Sequence, residues 1–456
     1  HVMARTIKDA FCRYKTLKGY NVKRKAGWDT HGLPVELGVE KELGISKDDI
    51  GDKISISEYN SACKKAVMKY TYDWELLTES MGYWIDLSDP YVTYKPKYME
   101  TVWWLIKNLF EKNLLYKGYT VQPFSPAAGS GLSSHELNQP GAYREISDTS
   151  VIAQFKCIND NRSDKFSGMF PFYFLAWTTT PWTLPSNTAL TLGGKIEYSF
   201  VKTFNQYTKE KITVVLATSL IEKVFAKNFF NVKEENKLGL FKESDAKIPY
   251  YIASSFNGVD FENLKYERIW DESPLPIDNP ENAFRVILGD FVTTEDGTGI
   301  VHTAPTFGAD DYKAAKSAKP EVPPLLVPDK NGNKVPLVDL KGKFIDDIGL
   351  LSGKYVKNEY YEEDKMPEKS IDVEIAIKLK EKNLAFKVER YSHSYPHCWR
   401  TDKPILYYPM ESWFIKVSDL SEKMFNLNKE INWKPNSTGE GRFGNWLKSA
   451  NDWNLS

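Results

Sequence analysis

Cysteine is scarce in this sequence, and the few that occur stand far apart. The chain has four cysteines in 456 residues: Cys12, Cys63, Cys157 and Cys398. Closely spaced pairs are typical of a disulfide framework or of a self-contained zinc site. The scattered cysteines argue against both, and they favour a protein of the reducing cytoplasm.

Long apolar runs and an excess of one charge are also missing. No stretch of about 18 apolar residues offers a membrane span, and no signal-peptide pattern is present. The 60 Lys and Arg residues balance 61 Asp and Glu residues. Overall charge therefore gives no attraction for a nucleic acid, which would have to be bound by local basic patches. We expect a globular cytoplasmic protein that does not associate with membranes.

The length predicts more than one domain, because a single hydrophobic core rarely organises 456 residues. Residues 1–150 alternate helical and extended patterns. Residues 151–388 are dominated by β-branched residues and alternation, which predicts a mostly β domain. Residues 389–456 are interpreted as a return to the first domain.

Several elements are predicted from periodicity. Apolar residues at helical spacing predict a helix over residues 2–17, and Ser55 with Glu58 forms the pattern of a capping box. Further predicted helices cover residues 98–109, 311–318 and 372–382. Predicted strands cover residues 151–155, 170–177, 211–217 and 286–292.

Two separated segments carry most of the polar chemistry. The first is Trp177-Thr-Thr-Thr-Pro-Trp-Thr-Leu-Pro-Ser-Asn187, which places three hydroxyls on a Pro-bounded segment. The second is Gly297-Thr-Gly-Ile-Val-His-Thr-Ala-Pro305, and Asp310-Asp311-Tyr312 follows it. An imidazole and a carboxylate nine residues beyond it are enough for a small polar pocket. In an arbitrary β protein, however, threonines are merely good strand formers, and an Asp opening a helix is commonly a cap.

A third segment, Gly27-Trp-Asp-Thr-His-Gly-Leu-Pro-Val-Glu36, completes a resemblance. Together the three segments resemble the class I isoleucyl-tRNA synthetases. The resemblance implies an α/β fold, in which a Rossmann-like catalytic core is interrupted by a mostly β, barrel-like editing domain. Thr30 and His31 favour the isoleucyl enzymes over the valyl and leucyl ones, which usually carry other residues at these positions.

The resemblance implies a role for each polar residue of the β domain. Thr178, Thr179 and Thr180 would present donors to a water, an ester oxygen or the terminal ribose, and Asp311 would hold the α-ammonium of the substrate. His302 would act as a steric wall against isoleucine rather than as a general base. Trp182 and Asn187 would contribute to the specificity of this editing site, whose substrate is tRNA mischarged with valine.

Other residues resemble parts of the synthetic site. Asp29 would receive the amino group of isoleucine, with Trp28 and His31 shaping the pocket. His1 resembles the last histidine of the His-x-Gly-His signature that binds ATP, while a Lys-Met-Ser-Lys-Ser type loop is absent. The chain is therefore expected to be a fragment that does not form an adenylate by itself. For the whole enzyme the resemblance implies ATP with Mg²⁺, isoleucine and tRNA(Ile) as substrates, and a monomeric state.

Metal binding is not expected. Some family members carry Cys-x-x-Cys pairs where this chain has Ser125-Pro-Ala-Ala128 and Cys398-Trp-Arg-Thr401, so one cysteine of four remains. A structural zinc needs four nitrogen or sulfur ligands. Polar packing explains His135, His393 and His397 better than ligation does.

Two alternatives stay open at the level of sequence. One is a module that only docks the acceptor end of tRNA without catalysing a reaction. The other is a relative of the valyl or leucyl enzymes.

Overall fold

The computed structural model describes residues 2–455. His1, for which the sequence suggests a role in ATP binding, lies outside the described residues. The strands, in chain order, are β1 Lys25–Trp28, β2 Asp86–Val92, β3 Leu115–Ser125, β4 Ser130–Gly131, β5 Tyr143–Lys156, β6 Phe172–Thr178, β7 Ala189–Leu192, β8 Glu197–Phe204, β9 Lys211–Ala217, β10 Phe229–Asn231, β11 Ile248–Asn257, β12 Arg285–Leu288, β13 Ile300–Thr303, β14 Val327–Pro328, β15 Lys334–Val335, β16 Ala385–Pro396, β17 Leu406–Ile415 and β18 Trp453–Asn454.

The helices match the periodic segments of the sequence closely. In chain order they are α1 Val2–Leu17, α2 Leu33–Leu43, α3 Ile56–Val67, α4 Thr71–Ser80, α5 Pro96–Glu111, α6 Ser134–Leu137, α7 Ile221–Val224, α8 Ala309–Ser317, α9 Ile371–Glu381, α10 Ser421–Asn428 and α11 Gly444–Lys448. The predicted helices over residues 2–17, 98–109, 311–318 and 372–382 are confirmed within a few residues. The capping box of Ser55 and Glu58 is also confirmed at the start of α3.

The chain forms two compact units. The first unit contains the residues up to Lys117 together with Trp413–Leu455, and the second contains Gly118–Ser412. No helix formed by residues 2–455 combines the length and the apolar character that a bilayer span requires.

The first unit alternates helices and strands. Its strands β1 and β2 pair in parallel, with Trp28 opposite Val92. Because a parallel pair requires a crossover connection, the chain between them forms helices α2, α3 and α4. Asp9 in α1 contacts the segments that precede β1 and β2. Its carboxylate accepts hydrogen bonds from Arg24, from the backbone N–H of Trp84 and from Arg13 of its own helix.

The second unit is mostly β, as predicted. Its main sheet has the order β10-β11-β8-β9-β6-β13-β7-β12, and β5 with β16 branches from it at β6. The core is rich in fully buried phenylalanines: Phe155, Phe166, Phe172, Phe174, Phe200 and Phe261. The strand predicted over residues 286–292 is shorter than expected, because β12 ends at Leu288, before Gly289.

The second unit is also larger than the predicted segment 151–388. Strands β5 and β16 pair in antiparallel fashion from Ala153 opposite Ala385 to Tyr143 opposite Pro396. This pairing adds residues on both sides of the predicted segment to the same sheet. The sequence carries little signal for it, because much of the ribbon is polar and partly exposed.

Candidate functional site

The two polar segments of the second unit meet at one edge of the sheet. Strand β6 ends at Thr178, and β13 ends at Thr303. The two strands are parallel neighbours, with Val301 opposite Trp177. The next residues, Thr178 and His302, therefore lie side by side at the usual inter-strand spacing of about 4.8 Å. Both segments leave the sheet at the carboxyl ends of parallel strands, which is where open α/β sheets place their ligands.

Asn187 reaches the same edge by a different route. Strand β7 runs antiparallel to β13, with His302 opposite Leu190 and Thr303 opposite Ala189. Asn187 stands just before β7 begins. The start of this strand therefore lies where β6 and β13 end.

The three threonines do not have equivalent surroundings. Thr178 is buried, and its hydroxyl accepts a hydrogen bond from the backbone N–H of Thr180 at 3.1 Å. The hydroxyl oxygens of Thr178 and Thr180 are 3.3 Å apart. Thr179 and Thr180 are only half-buried, and within residues 2–455 the Thr179 hydroxyl has no hydrogen-bond partner. The Thr179 hydroxyl is thus unpaired among these residues, whereas the Thr180 hydroxyl lies next to that of Thr178.

His302 is held rigidly. Its Nδ1 lies 2.9 Å from the side-chain nitrogen of Asn187, and its Nε2 lies 3.0 Å from the hydroxyl of Thr183. An amide nitrogen only donates, so Nδ1 accepts and Nε2 carries the proton. The Thr183 hydroxyl in turn donates to the carbonyl of Thr180 at 2.8 Å.

The same environment keeps His302 neutral. Its exposed fraction is 6%. Burial lowers the pKa of His302 to about 3, because a charged imidazolium would lose its hydration. A neutral ring with both nitrogens hydrogen-bonded inside the protein is poorly suited to act as a base. It presents instead a fixed surface.

Asn187 orients His302 rather than standing free to meet a substrate. Its amide nitrogen also donates to the carbonyl of Ala189 at 2.8 Å, and its oxygen accepts from the hydroxyl of Tyr266 at 2.7 Å. Sequence reasoning missed Tyr266 and Thr183 as parts of this site. Thr183 lies within the segment Trp177–Asn187, which stands out in the sequence. The sequence around Tyr266, in contrast, has no feature that indicates a role in the site.

Asp311 is the site's unpaired carboxylate. It lies in the first turn of α8, and its Oδ2 accepts the backbone N–H of Ala304 at 2.9 Å. Burial, with a smaller contribution from the charge of Asp310, raises the pKa of Asp311 to about 6, although the Ala304 hydrogen bond opposes the shift. Within the described chain no cationic side chain pairs with it. Asp310, by contrast, is exposed and pairs with Lys313 at 3.3 Å.

Gly308 lets Asp311 turn back toward Ala304. A Cβ atom at Gly308 would lie 2.6 Å from Oδ2 of Asp311. Any larger residue would displace the carboxylate from its present position.

Trp182 is buried behind the threonines. Its exposed fraction is 3%, and its ring packs edge-on against Phe307 with the centroids 5.0 Å apart. Its indole N–H has no hydrogen-bond partner among residues 2–455. Its backbone N–H donates to Oδ1 of Asp372 at 2.8 Å. Asp372 is a further residue that the sequence did not indicate.

In the first unit, Trp28, Asp29 and His31 follow one another at the end of β1. Trp28 is half-buried, while Asp29 and His31 are exposed. The hydroxyl of Thr93, just after β2, anchors this turn. It lies 2.9 Å from the backbone nitrogen of Thr30, for which it is the acceptor, and 3.0 Å from Nδ1 of His31. Gly32 ends the turn with a φ of +125°, a conformation that favours glycine.

The residues at the four positions that the family resemblance associates with thiols, Ser125, Ala128, Cys398 and Thr401, do not suit zinc. Cys398 is fully buried. Burial alone would raise the pKa of its thiol, but the polar groups of Thr401, Arg400 and Ser125 around the sulfur outweigh this effect and lower it. Ser125 also accepts the backbone N–H of Ala128 at 3.2 Å. Of these four positions, only Cys398 offers a sulfur ligand.

The three histidines considered as substitutes have other partners. His393 contacts Asp148, His397 the carbonyl of Tyr395, and His135 the side chain of Gln139. Across residues 2–455, no group of three or more His, Cys, Asp or Glu residues is arranged to hold a metal ion. The absence of zinc remains a prediction.

Comparison with known proteins defines the class of protein. The sequence profile of the family described as tRNA synthetases class I (I, L, M and V) matches residues 1–456. The chain belongs to this family.

Its similar relatives are isoleucine–tRNA ligases. The protein of that name from Bacteroides fragilis is 56% identical over 474 residues, which cover 100% of this chain and 40% of the relative. The one from Cytophaga hutchinsonii is 55% identical and is covered to 41%, and the one from Clostridium tetani is 40% identical and is covered to 38%. The chain thus spans about 40% of the length of the relatives it resembles.

Solved structures resemble the chain more distantly. A cytosolic leucyl-tRNA synthetase editing domain from P. knowlesi is 12% identical, with a TM-score of 0.25, over 36% of this chain and 60% of that one. A corresponding domain from P. falciparum is 13% identical, with a TM-score of 0.25, over 37% of this chain and 63% of that one. Likeness at this level assigns no function.

Proposed function

We propose that this chain is part of an isoleucine–tRNA ligase, and that its second unit hydrolyses tRNA mischarged with valine. The observation that carries the proposal is the meeting of Thr178–Thr180, His302 and the unpaired Asp311 at one edge of the sheet. The names of the relatives support isoleucine over valine or leucine as the cognate amino acid.

Such an enzyme needs a second site for a physical reason. One methylene is worth roughly 1–3 kcal/mol in an apolar pocket, a general limit for which the isoleucyl enzyme is itself the usual example. Shape alone therefore cannot reject valine accurately during activation. A hydrolytic site that admits valine and excludes isoleucine removes the errors.

Asp311 is suited to hold the α-ammonium of the aminoacyl group. Its carboxylate has no cationic partner, so a substrate ammonium would supply one through a charge-assisted hydrogen bond. Burial raises the pKa of Asp311 to about 6. Binding the cation would stabilise the ionised carboxylate.

The threonines and His302 divide the remaining tasks. The half-buried hydroxyls of Thr179 and Thr180 would orient the attacking water or the ester oxygen. The neutral ring of His302 would limit the length of the side chain that fits. Asn187 supports this wall by fixing the ring, and Trp182 contributes to the site from the core, where it packs against Phe307.

The reaction is a direct hydrolysis. The water oxygen bonds to the ester carbonyl carbon, the ester C–O bond breaks, and a water proton ends on the ribose oxygen that leaves. The products are valine and uncharged tRNA. No nucleophilic serine or cysteine takes part in this scheme, so we expect no covalent intermediate.

Deacylation of valyl-tRNA tests the proposal. The chain should release valine, and Asp311→Asn should slow the release by about 30- to 1,000-fold, as expected for about 2–4 kcal/mol from a charged partner. Asp310→Asn is the matched control, because it removes the adjacent exposed carboxylate, and it should change the rate less than twofold. Tight binding of tRNA without hydrolysis would instead favour a docking module.

We further propose that the first unit contributes to the synthetic site. Asp29 would bind the amino group of isoleucine, with Trp28 and His31 beside it, and the complete enzyme would join isoleucine to ATP with Mg²⁺ before transfer to tRNA(Ile). We expect a cytoplasmic monomer. In the full-length protein, Asp29→Ala should raise the KM for isoleucine in pyrophosphate exchange, whereas Asp52→Ala, at an exposed site, should not. Equal effects of the two substitutions would contradict this role.

A further inference from the structure

Asp372 is a buried carboxylate that contacts the threonine segment from another element. It is the second residue of α9, its exposed fraction is 4%, and its Oδ1 accepts the Trp182 N–H at 2.8 Å. The other buried residues of α9 are Ile371, Ile375, Ala376 and Leu379. A charged residue among these apolar ones calls for a reason, because an apolar residue would avoid the cost of desolvation.

The charge of Asp372 is only partly compensated. Lys357, also buried, forms its direct ion pair with Asp148 at 2.7 Å. Burial raises the pKa of Asp372 to about 7, while the charge of Lys357 and the Trp182 hydrogen bond oppose the shift. An ionised carboxylate therefore carries an electrostatic cost at this position.

The Trp182 N–H is the group that needs this acceptor. Residues Pro181–Ser186 form a 3₁₀ turn, and the first N–H groups of such a turn have no partner inside it. Pro181 has no N–H, so Trp182 carries the first one. A side chain at the preceding residue usually caps it, but Thr180 makes no such bond.

The capped turn joins two parts of the site. The backbone N–H and the hydroxyl of Thr183 both donate to the carbonyl of Thr180, at 3.0 and 2.8 Å. The same Thr183 hydroxyl accepts from His302 at 3.0 Å. A displacement of Trp182 would therefore move Thr180 and the support of His302 together.

We propose that Asp372 is a positioning residue of the hydrolytic site: it caps the turn at Trp182 from outside, so that the Thr180 side chain does not serve as the cap and stays beside Thr178. This rests on the hydrolytic function proposed above.

Two substitutions in the full-length protein separate the cap from the charge. Asp372→Ala removes the acceptor and should lower kcat for valyl-tRNA deacylation by 10- to 100-fold, with KM changed less than threefold. Asp372→Asn keeps an oxygen acceptor of the same size and should retain kcat within about threefold. Ile375→Ala is the control for loss of stability, because it creates a cavity on the same helix without removing the hydrogen bond to the Trp182 N–H, and it should lower Tm while leaving kcat unchanged.

Hydrogen exchange at the Trp182 amide gives a readout that does not depend on activity. Exchange should be at least tenfold faster in Asp372→Ala than in the wild type and nearly unchanged in Asp372→Asn. If the wild-type protein is inactive but shows this exchange pattern, the proposed hydrolysis is refuted, while the capping of the Trp182 N–H by Asp372 is supported. Wild-type kcat in Asp372→Ala, or an Asn variant as slow as the Ala variant despite a protected amide, would overturn the positioning role.

Discussion

Asn187 donates a hydrogen bond to Nδ1 of His302 over 2.9 Å, and this bond decides what the histidine can do. It places the ring proton on Nε2, which donates a hydrogen bond to the Thr183 hydroxyl. With burial lowering its pKa to about 3, the ring stays neutral throughout the physiological range. His302 therefore serves the proposed site through its shape and position.

Shortening this side chain should relax specificity. His302→Ala enlarges the pocket, so correctly charged isoleucyl-tRNA should become a substrate, while valyl-tRNA should still be cleaved. Deacylation of both tRNAs measures this, with the exposed His135→Ala as control. Loss of valyl-tRNA hydrolysis without any gain on isoleucyl-tRNA would contradict the steric role.

The pH dependence should report Asp311 and not His302. Ammonium capture needs the ionised carboxylate, and the pKa of Asp311 in the free protein is raised to about 6. Thus kcat/KM for valyl-tRNA should fall as the pH drops from about 7 through 6. In Asp311→Asn, kcat/KM should be low at every pH and should show no fall near pH 6. A step that survives in Asp311→Asn would assign it to another group.

The same carboxylate should destabilise the fold at high pH. Its pKa is raised on folding, from 3.8 to about 6, so the folded state favours the protonated form and loses stability as the pH rises through 6. One pKa unit corresponds to about 1.36 kcal/mol, and partial exposure reduces the effect. The free energy of unfolding of Asp311→Asn, relative to that of the wild type, should therefore be about 1–3 kcal/mol higher at pH 8 than at pH 4. Urea unfolding at both pH values measures the change. Asp310→Asn should show no such gain, and an equal gain there would point to general charge repulsion.

The hydroxyl of Tyr266 should contribute to stability through Asn187. Tyr266→Phe leaves the buried oxygen of Asn187 without its donor and should cost about 1–3 kcal/mol of unfolding free energy. Tyr173→Phe is the comparison, because within residues 2–455 that hydroxyl makes no hydrogen bond. Equal costs for the two substitutions would show that the Asn187 contact adds nothing.

Purified protein should contain no stoichiometric zinc. Of the four positions where some relatives carry thiols, only Cys398 has a soft ligand. Elemental analysis should find far less than one zinc per chain, and EDTA should leave Tm unchanged. About one zinc per chain, lost in Cys398→Ala, would refute this.

Much of the local structure is predictable from sequence. The helices over residues 2–17 and 372–382 and the cap at Ser55 follow from apolar spacing and short-range hydrogen bonds, which involve only neighbouring residues. The limits of the second unit are not predictable in this way. They depend on the pairing of β5 with β16, whose strands are more than 200 residues apart in the chain.

The site shows the same division. By itself the sequence determined which chemical groups are available, namely three consecutive threonines, one histidine and an Asp in the first turn of a helix, because their motifs are local. Only the tertiary structure decided that β6 and β13 are parallel neighbours, that Asn187 and Thr183 fix the tautomer of His302, and that Asp372 caps the turn at Trp182. Such contacts join residues more than 100 positions apart, and the burial that sets the pKa values of His302 and Asp311 exists only once the sheet has formed.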